Sequence, residues 1–417
     1  MKNNKYNSKF LSKYNLQDPV CMYKWTWSTI RLMEGSTNSC HRVKSDKLTP
    51  KNYENFHNTP TKLLHRQTMQ KGQWPGDGCE YCRDIELAGG HSDRMDLNAS
   101  NQPDWLAPKE LEEKSNAIKL TPRLVEVYFN NLCNLNCIYC SGEYSTVWEV
   151  EEKKFNLRHP LEFKEMEEGR KQYPEMLKQH WKWMEKNAKH IVQYRILGGE
   201  PFFQPEFEQN IDFFENNPCP DTNFIIFSNL KVENKRMRKL LDKVVNLQKT
   251  GKIKNFEIVC SLDCWGPQQE YIRTGLDMKK WEQNFLTILN EYDSISILIH
   301  GTIISLTMQT LPDLCKKVAE WNKIRRVKHS LSFASGRPGM DVGVFPKGFF
   351  DKQFKRSIKN HSDPRTIRFL QGFWKKVNAQ PYEPKKVKSL KTTLDNIDKR
   401  RGTDWKKLWR WLDQYEV

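Results

Sequence analysis

Leu124-Val125-Glu126-Val127-Tyr128-Phe129-Asn130-Asn131-Leu132-Cys133-Asn134-Leu135-Asn136-Cys137-Ile138-Tyr139-Cys140 is the stretch on which the fold of this chain turns. Its first six residues form an apolar run that predicts a strand at 124–129, and the loop that follows carries three cysteines spaced C-x3-C-x2-C. Three thiolates on so short a loop can hold three corners of a cubane iron–sulfur cluster, whereas a closed four-iron cluster or a structural zinc takes four ligands. The site is one ligand short. An iron without a protein ligand is open to a small molecule, as the fourth position of a catalytic zinc is.

Downstream of the cysteine loop, short runs rich in Val, Ile and Phe at 192–197, 223–227, 256–261, 296–303 and 329–333 read as further strands. Helical patterns lie between them at 173–187, 206–216, 234–248, 278–291 and 311–322. Six strands alternating with helices predict an α/β fold, an incomplete (β/α)6 barrel with parallel strands and right-handed crossovers over 123–340. In such folds the loops after the carboxyl ends of the strands build the active site. The distinctive residues fall there: Gly198-Gly199-Glu200-Pro201 after the second strand, Ser228-Asn229 after the third, and Ser261-Leu262-Asp263 at the end of the fourth.

Cys133, Cys137 and Cys140, with an aromatic Tyr139 before the last cysteine and Gly-Gly-Glu-Pro after the next strand, resemble the radical S-adenosylmethionine superfamily over roughly residues 123–335. The resemblance implies a four-iron four-sulfur cluster whose open iron is chelated by S-adenosylmethionine. Reductive cleavage of that molecule gives a 5′-deoxyadenosyl radical, which abstracts a substrate hydrogen. It implies cofactor-binding roles for Tyr139, Gly198, Gly199, Glu200, Ser228, Asn229, Ser261, Asp263 and Arg273, and assigns no catalytic residue beyond the cluster. Arg273, in Tyr-Ile-Arg-Thr-Gly, is read either as a carboxylate ligand or as a surface ion pair. Cys264 stands where relatives have glycine and is read as a small packed residue, with a thiol near the radical that donates a hydrogen atom or binds metal as the alternative.

The stretch 14–97 shows little helical periodicity and four cysteines: Cys21, Cys40, Cys79 and Cys82. With so few regular elements it reads as a small, metal-stapled module, for which a closed zinc site and a closed iron–sulfur cluster both fit the spacing. The C-x13-G-x4-C element with the later C-x2-C resembles the twitch and SPASM modules of radical enzymes that modify peptides and proteins, here placed before the barrel rather than after it. That resemblance implies a second, auxiliary iron–sulfur cluster, with zinc less favoured. His41 and His91 could replace a cysteine, but are read as surface or supporting groups. Residues 98–122 read as a connector, and 341–417 as a basic helical extension. There Trp405, Leu408, Trp409 and Leu412 predict a helix over 404–415 that packs on the barrel, with a partner-binding helix as the alternative.

The chain has 417 residues, 68 Lys and Arg against 51 Asp and Glu, and a net charge of +17. The excess reads as spread over a solvated surface, with runs at 323–328 and 385–391, and would also suit nucleic acid. No stretch predicts a membrane span and the first residues show no signal-peptide core, so no membrane partner and a cytoplasmic location are expected. In a reducing compartment the eleven cysteines point to metal rather than disulfides, with Cys219 and Cys315 as packing residues. A peptide or protein side chain is the expected substrate, and an electron donor such as flavodoxin or ferredoxin the expected partner. The alternatives are a radical enzyme acting on RNA or a nucleotide and, in another class, a non-catalytic iron–sulfur or zinc binding protein.

Overall fold

A computed structural model of the chain describes residues 13, 16, 18–87, 92–99, 107–114, 117–334 and 339–416; His91 and parts of the expected connector lie outside them. Its strands are β1 (Trp27–Arg31), β2 (Ser36–Asn38), β3 (Asp46–Lys47), β4 (Leu124–Tyr128), β5 (Gln193–Leu197), β6 (Cys219–Ser228), β7 (Ile253–Ser261), β8 (Ser296–Ile303) and β9 (Val327–Phe333). The helices of eight residues or more are α1 (Pro60–Gln70), α2 (Glu80–Leu87), α3 (Thr146–Lys154), α4 (Pro160–Asn187), α5 (Pro205–Asn216) and α6 (Asn234–Lys249). They continue with α7 (Met278–Glu291), α8 (Leu311–Trp321), α9 (Asp351–Asn360), α10 (Pro364–Ala379) and α11 (Pro384–Arg401). The fold is α/β, with an open sheet in the order β3-β2-β1-β4-β5-β6-β7-β8-β9.

The chain divides into two compact units: Met1–Asn131, Lys153–Ile226 and Asn246–Phe256 in the first, and Leu132–Glu152, Phe227–Val245 and Glu257–Val417 in the second. In the first unit β4 and β5 run parallel in the register Leu124↔Gln193 to Tyr128↔Leu197. Alternation buries Val125, Val127, Tyr194 and Ile196 on one face and leaves Glu126 and Arg195 on the other. The apolar face is packed by aromatic rings of α4 and α5: Phe56 on Trp183 with centroids at 4.7 Å, Phe129 on His180 at 5.5 Å, Phe214 on Phe224 at 5.2 Å.

The stretch read as poor in regular structure supplies three strands. β1 pairs parallel with β4, Trp27↔Leu124 to Arg31↔Tyr128, and β2 and β3 extend it antiparallel, so residues 27–47 belong to the sheet itself. α4 starts thirteen residues before the expected 173, because its first half is largely exposed and has no apolar period, while Pro174 inside it reads as a helix start.

In the second unit β7, β8 and β9 are parallel, Glu257↔Ser296 to Ser261↔His300 and Ile297↔Val327 to Ile303↔Phe333. Trp281 stacks on Phe285 of α7, and Phe285 meets Trp321 of α8 at 4.3 Å. The last residues join this core: Trp405, Trp409 and Leu412 are buried in one cluster with Ile303, Leu306, Leu390 and Leu394. The helix expected at 404–415 is two short pieces, Trp405–Leu408 and Arg410–Asp413. Trp409 leaves helical geometry between them (φ −126°, ψ 63°), and its buried indole donates to the Leu306 carbonyl at 2.9 Å.

Candidate metal and cofactor site

The cysteine loop follows the carboxyl end of β4 and is shaped by bonds to its backbone from four other segments of the second unit. The Asn136 and Ile138 amides donate to the Thr274 and Ile272 carbonyls at 3.0 and 2.8 Å, and a turn closes Cys137–Cys140. Trp148 of α3 donates its indole N–H to the Cys137 carbonyl at 2.6 Å. Asn134 is zipped to the loop after β6: its Nδ2 donates to the Lys231 carbonyl at 2.6 Å, while Lys231 Nζ donates to the Asn134 carbonyl at 3.2 Å. Asn229 Nδ2 donates to Asn134 Oδ1 at 3.0 Å and lies 4.0 Å from Cys133 Sγ. Ser228 turns the same loop, accepting from the Leu230 amide.

The fourth segment is the end of α11, which reaches back from residue 401. Arg401 donates to the Asn136 carbonyl and to Thr274 Oγ1, both at 2.9 Å, and its guanidinium lies 4.7 Å from the centre of the Trp148 ring. Glu151 accepts from Arg400 at 2.7 Å, from Arg401 at 2.9 Å, and from the side-chain carboxamide of Asn136. Burial raises the Glu151 pKa, but the two guanidiniums outweigh it and hold the carboxyl below its usual value. Nothing in the sequence flagged this clamp, since its members lie up to 265 residues apart.

Asp263, at the end of β7, is buried and fully engaged. Arg273 forks onto it with Nε to Oδ2 at 2.8 Å and Nη2 to Oδ1 at 2.9 Å, Tyr139 O–H donates to Oδ2 at 2.7 Å, and the Thr302 amide donates to Oδ1 at 2.9 Å. The ion pair is buried rather than on the surface, and its forked geometry is the strong form of such a contact. Burial disfavours the charge of Arg273, yet Asp263 outweighs it and holds the pKa well above the usual value. Burial also pushes the Tyr139 phenol well up, so it stays a donor. Ser261 is half-buried opposite His300, and Cys264 is buried with its sulfur on Gln269 Oε1, in keeping with a packed residue.

Gly198, Gly199 and Glu200 belong to the first unit, at the end of β5. Both glycines have positive φ, +78° and +59°, and a Cβ on Gly198 would run into the Tyr128 ring. Only glycine suits this strand end. Glu200 is buried, with Oε1 accepting from the Phe202 amide at 3.2 Å.

Also in the first unit, Cys21 and Cys79 are buried in one small apolar cluster, with Cys40 packed against it. Burial and the neighbouring Cys40 push the Cys21 thiol up to about 12, and burial, Cys40 and Cys82 raise Cys79 against the pull of Lys24. Burial raises Cys82 as well, with Cys40 and Asp93 adding to it. Cys40 is thus within electrostatic reach of Cys21, Cys79 and Cys82, and Cys79 of Cys82, with Lys24 near Cys21 and Cys79 and Arg94 near Cys21. His41 is bonded elsewhere, to Glu126 at 3.1 Å. All eleven cysteines are out of disulfides, and among the described residues no group of three His, Cys, Asp or Glu side chains is already arranged around a single metal ion. Both cysteine sets offer the soft donors that iron–sulfur clusters take.

No family model matches the chain, and no curated protein matches it. Among solved structures it is similar to TYW1 with a lysine-pyruvate adduct bound, at 18% identity and a TM-score of 0.29, covering 55% of this chain and 68% of that one. It is also similar to Streptococcus suis SuiB bound to S-adenosylmethionine, at 14% identity and a TM-score of 0.38, covering 86% and 68%. No described helix is long and apolar enough to cross a membrane.

Proposed function

We propose that this chain is a radical S-adenosylmethionine enzyme, in which Cys133, Cys137 and Cys140 hold a four-iron four-sulfur cluster with one iron left for S-adenosylmethionine. The observation that carries the reading is a three-cysteine loop at a strand's carboxyl end whose backbone is fixed from four sides while its thiols are in no disulfide. A cluster bound there supplies the electron that splits S-adenosylmethionine into methionine and a 5′-deoxyadenosyl radical.

The chain's own residues bind and orient. Gly198 and Gly199 let backbone approach the ligand, and Glu200 accepts from its amino group. Tyr139, Ser228, Asn229 and Ser261 border it, while Arg273 acts through Asp263 by fixing Tyr139. Cys21, Cys40, Cys79 and Cys82 hold an auxiliary iron–sulfur cluster, with zinc as the alternative, and a flavodoxin or ferredoxin supplies electrons. The substrate is a peptide or protein side chain, as the twitch and SPASM likeness implies. An RNA or nucleotide substrate is the second reading, favoured by the crowding of basic residues near the carboxyl terminus.

Anaerobic reconstitution tests this. The wild type should bind iron and sulfide in the ratio of two clusters and release 5′-deoxyadenosine. Cys137→Ala should abolish release, and Cys79→Ala should lower iron content while sparing it. A wild type that binds iron but never cleaves S-adenosylmethionine, or a Cys137→Ala protein that cleaves it normally, would overturn the reading.

A further inference from the structure

The basic excess is not evenly spread. Residues 341–417 carry 19 Lys and Arg against 9 Asp and Glu, so this fifth of the chain holds +10 of the +17. Within it the charge gathers on α9 and α10. Lys352, Lys355, Arg356, Lys359, Arg365, Arg368, Lys375 and Lys376 are all exposed, α10 has no acidic residue, and α9 has only Asp351. Asp351 is taken by the Trp374 indole at 2.6 Å and Asn378 at 3.1 Å, and Asp363 by its capping bonds to Thr366. Of the eight cations only Arg356 makes an ion pair within 4 Å among the described residues, to Asp313 at 3.5 Å, while Lys355 lies near Asp351 and 5.8 Å from the centre of the Trp374 ring. Like charges at helical spacings of three and four repel by a few tenths of a kcal/mol a pair. An array of this kind is completed by a polyanion from outside.

The surroundings of α10 narrow the class. A cavity of about 690 Å³ beside its carboxyl-terminal half is lined by Trp374, Gln371, Asn378, Lys347 and Lys375. An indole, two carboxamides and two ammonium groups suit an unpaired base and its flanking phosphates. A second cavity, of about 620 Å³, opens at the amino-terminal end of the helix and is lined by Arg326, Lys328, Ser330 and Arg365. The cations between them run along about 16 Å of helix, Arg365 to Lys376. Neither helix exposes a large apolar side chain, as a membrane-surface helix would.

We propose that the exposed face of α9 and α10 docks single-stranded RNA, with its phosphates on the lysines and arginines and a base against Trp374. The surface does not depend on the cluster chemistry, so its failure and the failure of the enzyme reading are separate results.

The test is fluorescence anisotropy of the full-length protein with a labelled single-stranded RNA of mixed sequence, between about 50 and 200 mM salt. Replacing Arg365, Arg368, Lys375 and Lys376 by Glu should weaken binding at least about tenfold. It should also make the log–log salt slope shallower by about 3, four phosphates at about 0.7 each. Trp374→Ala should weaken binding at least about fivefold with the slope unchanged. A control of equal charge change on exposed α4 positions, Lys164, Lys171, Lys178 and Lys182 to Glu, should stay within about twofold. Circular dichroism should match the wild type for both charge variants. Absence of RNA binding, equal losses in both charge variants, or displacement of RNA by poly-glutamate at equal charge would overturn the proposal, the last in favour of an acidic protein partner.

Discussion

Arg401 joins four groups at the cysteine loop: one carbonyl of the loop, one hydroxyl, one carboxylate and the face of Trp148. Arg401→Met should cost roughly 1–3 kcal/mol in urea unfolding, since Glu151 keeps Arg400 but the Asn136 carbonyl loses its donor. Lys407→Ala, removing an exposed ion pair with Asp404, should cost no more than about 0.5 kcal/mol. The reconstituted Arg401→Met protein should also lose iron faster to a chelator, because the loop around Cys137 is less firmly held. Asp263 is the other residue on which several groups converge. Asp263→Asn leaves Arg273 buried against a neutral amide and should destabilise by roughly 3–5 kcal/mol, read by urea midpoint, whereas Tyr139→Phe removes one donor and should cost about 1 kcal/mol.

At the scale of elements, the six strands from β4 to β9 were legible because Val, Ile and Phe cluster in short runs, and α7 matches its expected span because its buried face is periodic. β1 and β2 were not. Their buried positions are mostly Trp, Ser, Thr and Asn, so they carry neither alternation nor an apolar run. The cysteine triad, the glycine pair and the Ser-x-Asp element could be read because they are local. The Arg401 clamp and the Arg273 fork onto Asp263 depend on tertiary contacts that no local pattern encodes. The terminal segment was read as packed, and it is, although its period breaks at Trp409. Trp409→Ala should therefore open a cavity and cost roughly 3–5 kcal/mol in denaturant unfolding, a loss that a solvent-facing partner helix would not show.

For the whole molecule, buried histidines set the response to acid. Tyr53 and Tyr194 bracket His180 at 2.7 and 2.9 Å, one ring nitrogen donating and the other accepting, and burial lowers its pKa to about 3. Burial also lowers His329 to about 3 and His57 well below its usual value, the latter with help from Arg66 and Lys62. Unfolded, each takes a proton near pH 6.5 while the folded form does not. The stability that His180 and His329 contribute is complete above pH 6.5 and is lost as pH falls towards 3, for His180 by roughly 3 kcal/mol at pH 4, and His57 acts in the same direction. Urea midpoints measured from pH 7 to 4 should fall steeply for the wild type and less steeply for His180→Gln.

The clamp on the cysteine loop also sets an order of events during synthesis. Asn136 leaves the ribosome 265 residues ahead of Arg401. Until the far end of α11 is made and has folded back, the loop lacks one of its four supports, so a cluster of the proposed kind inserted before then would meet an unfinished seat. A chain cut before α11 would keep all its cysteines and, on the proposed function, would hold less iron than the intact one.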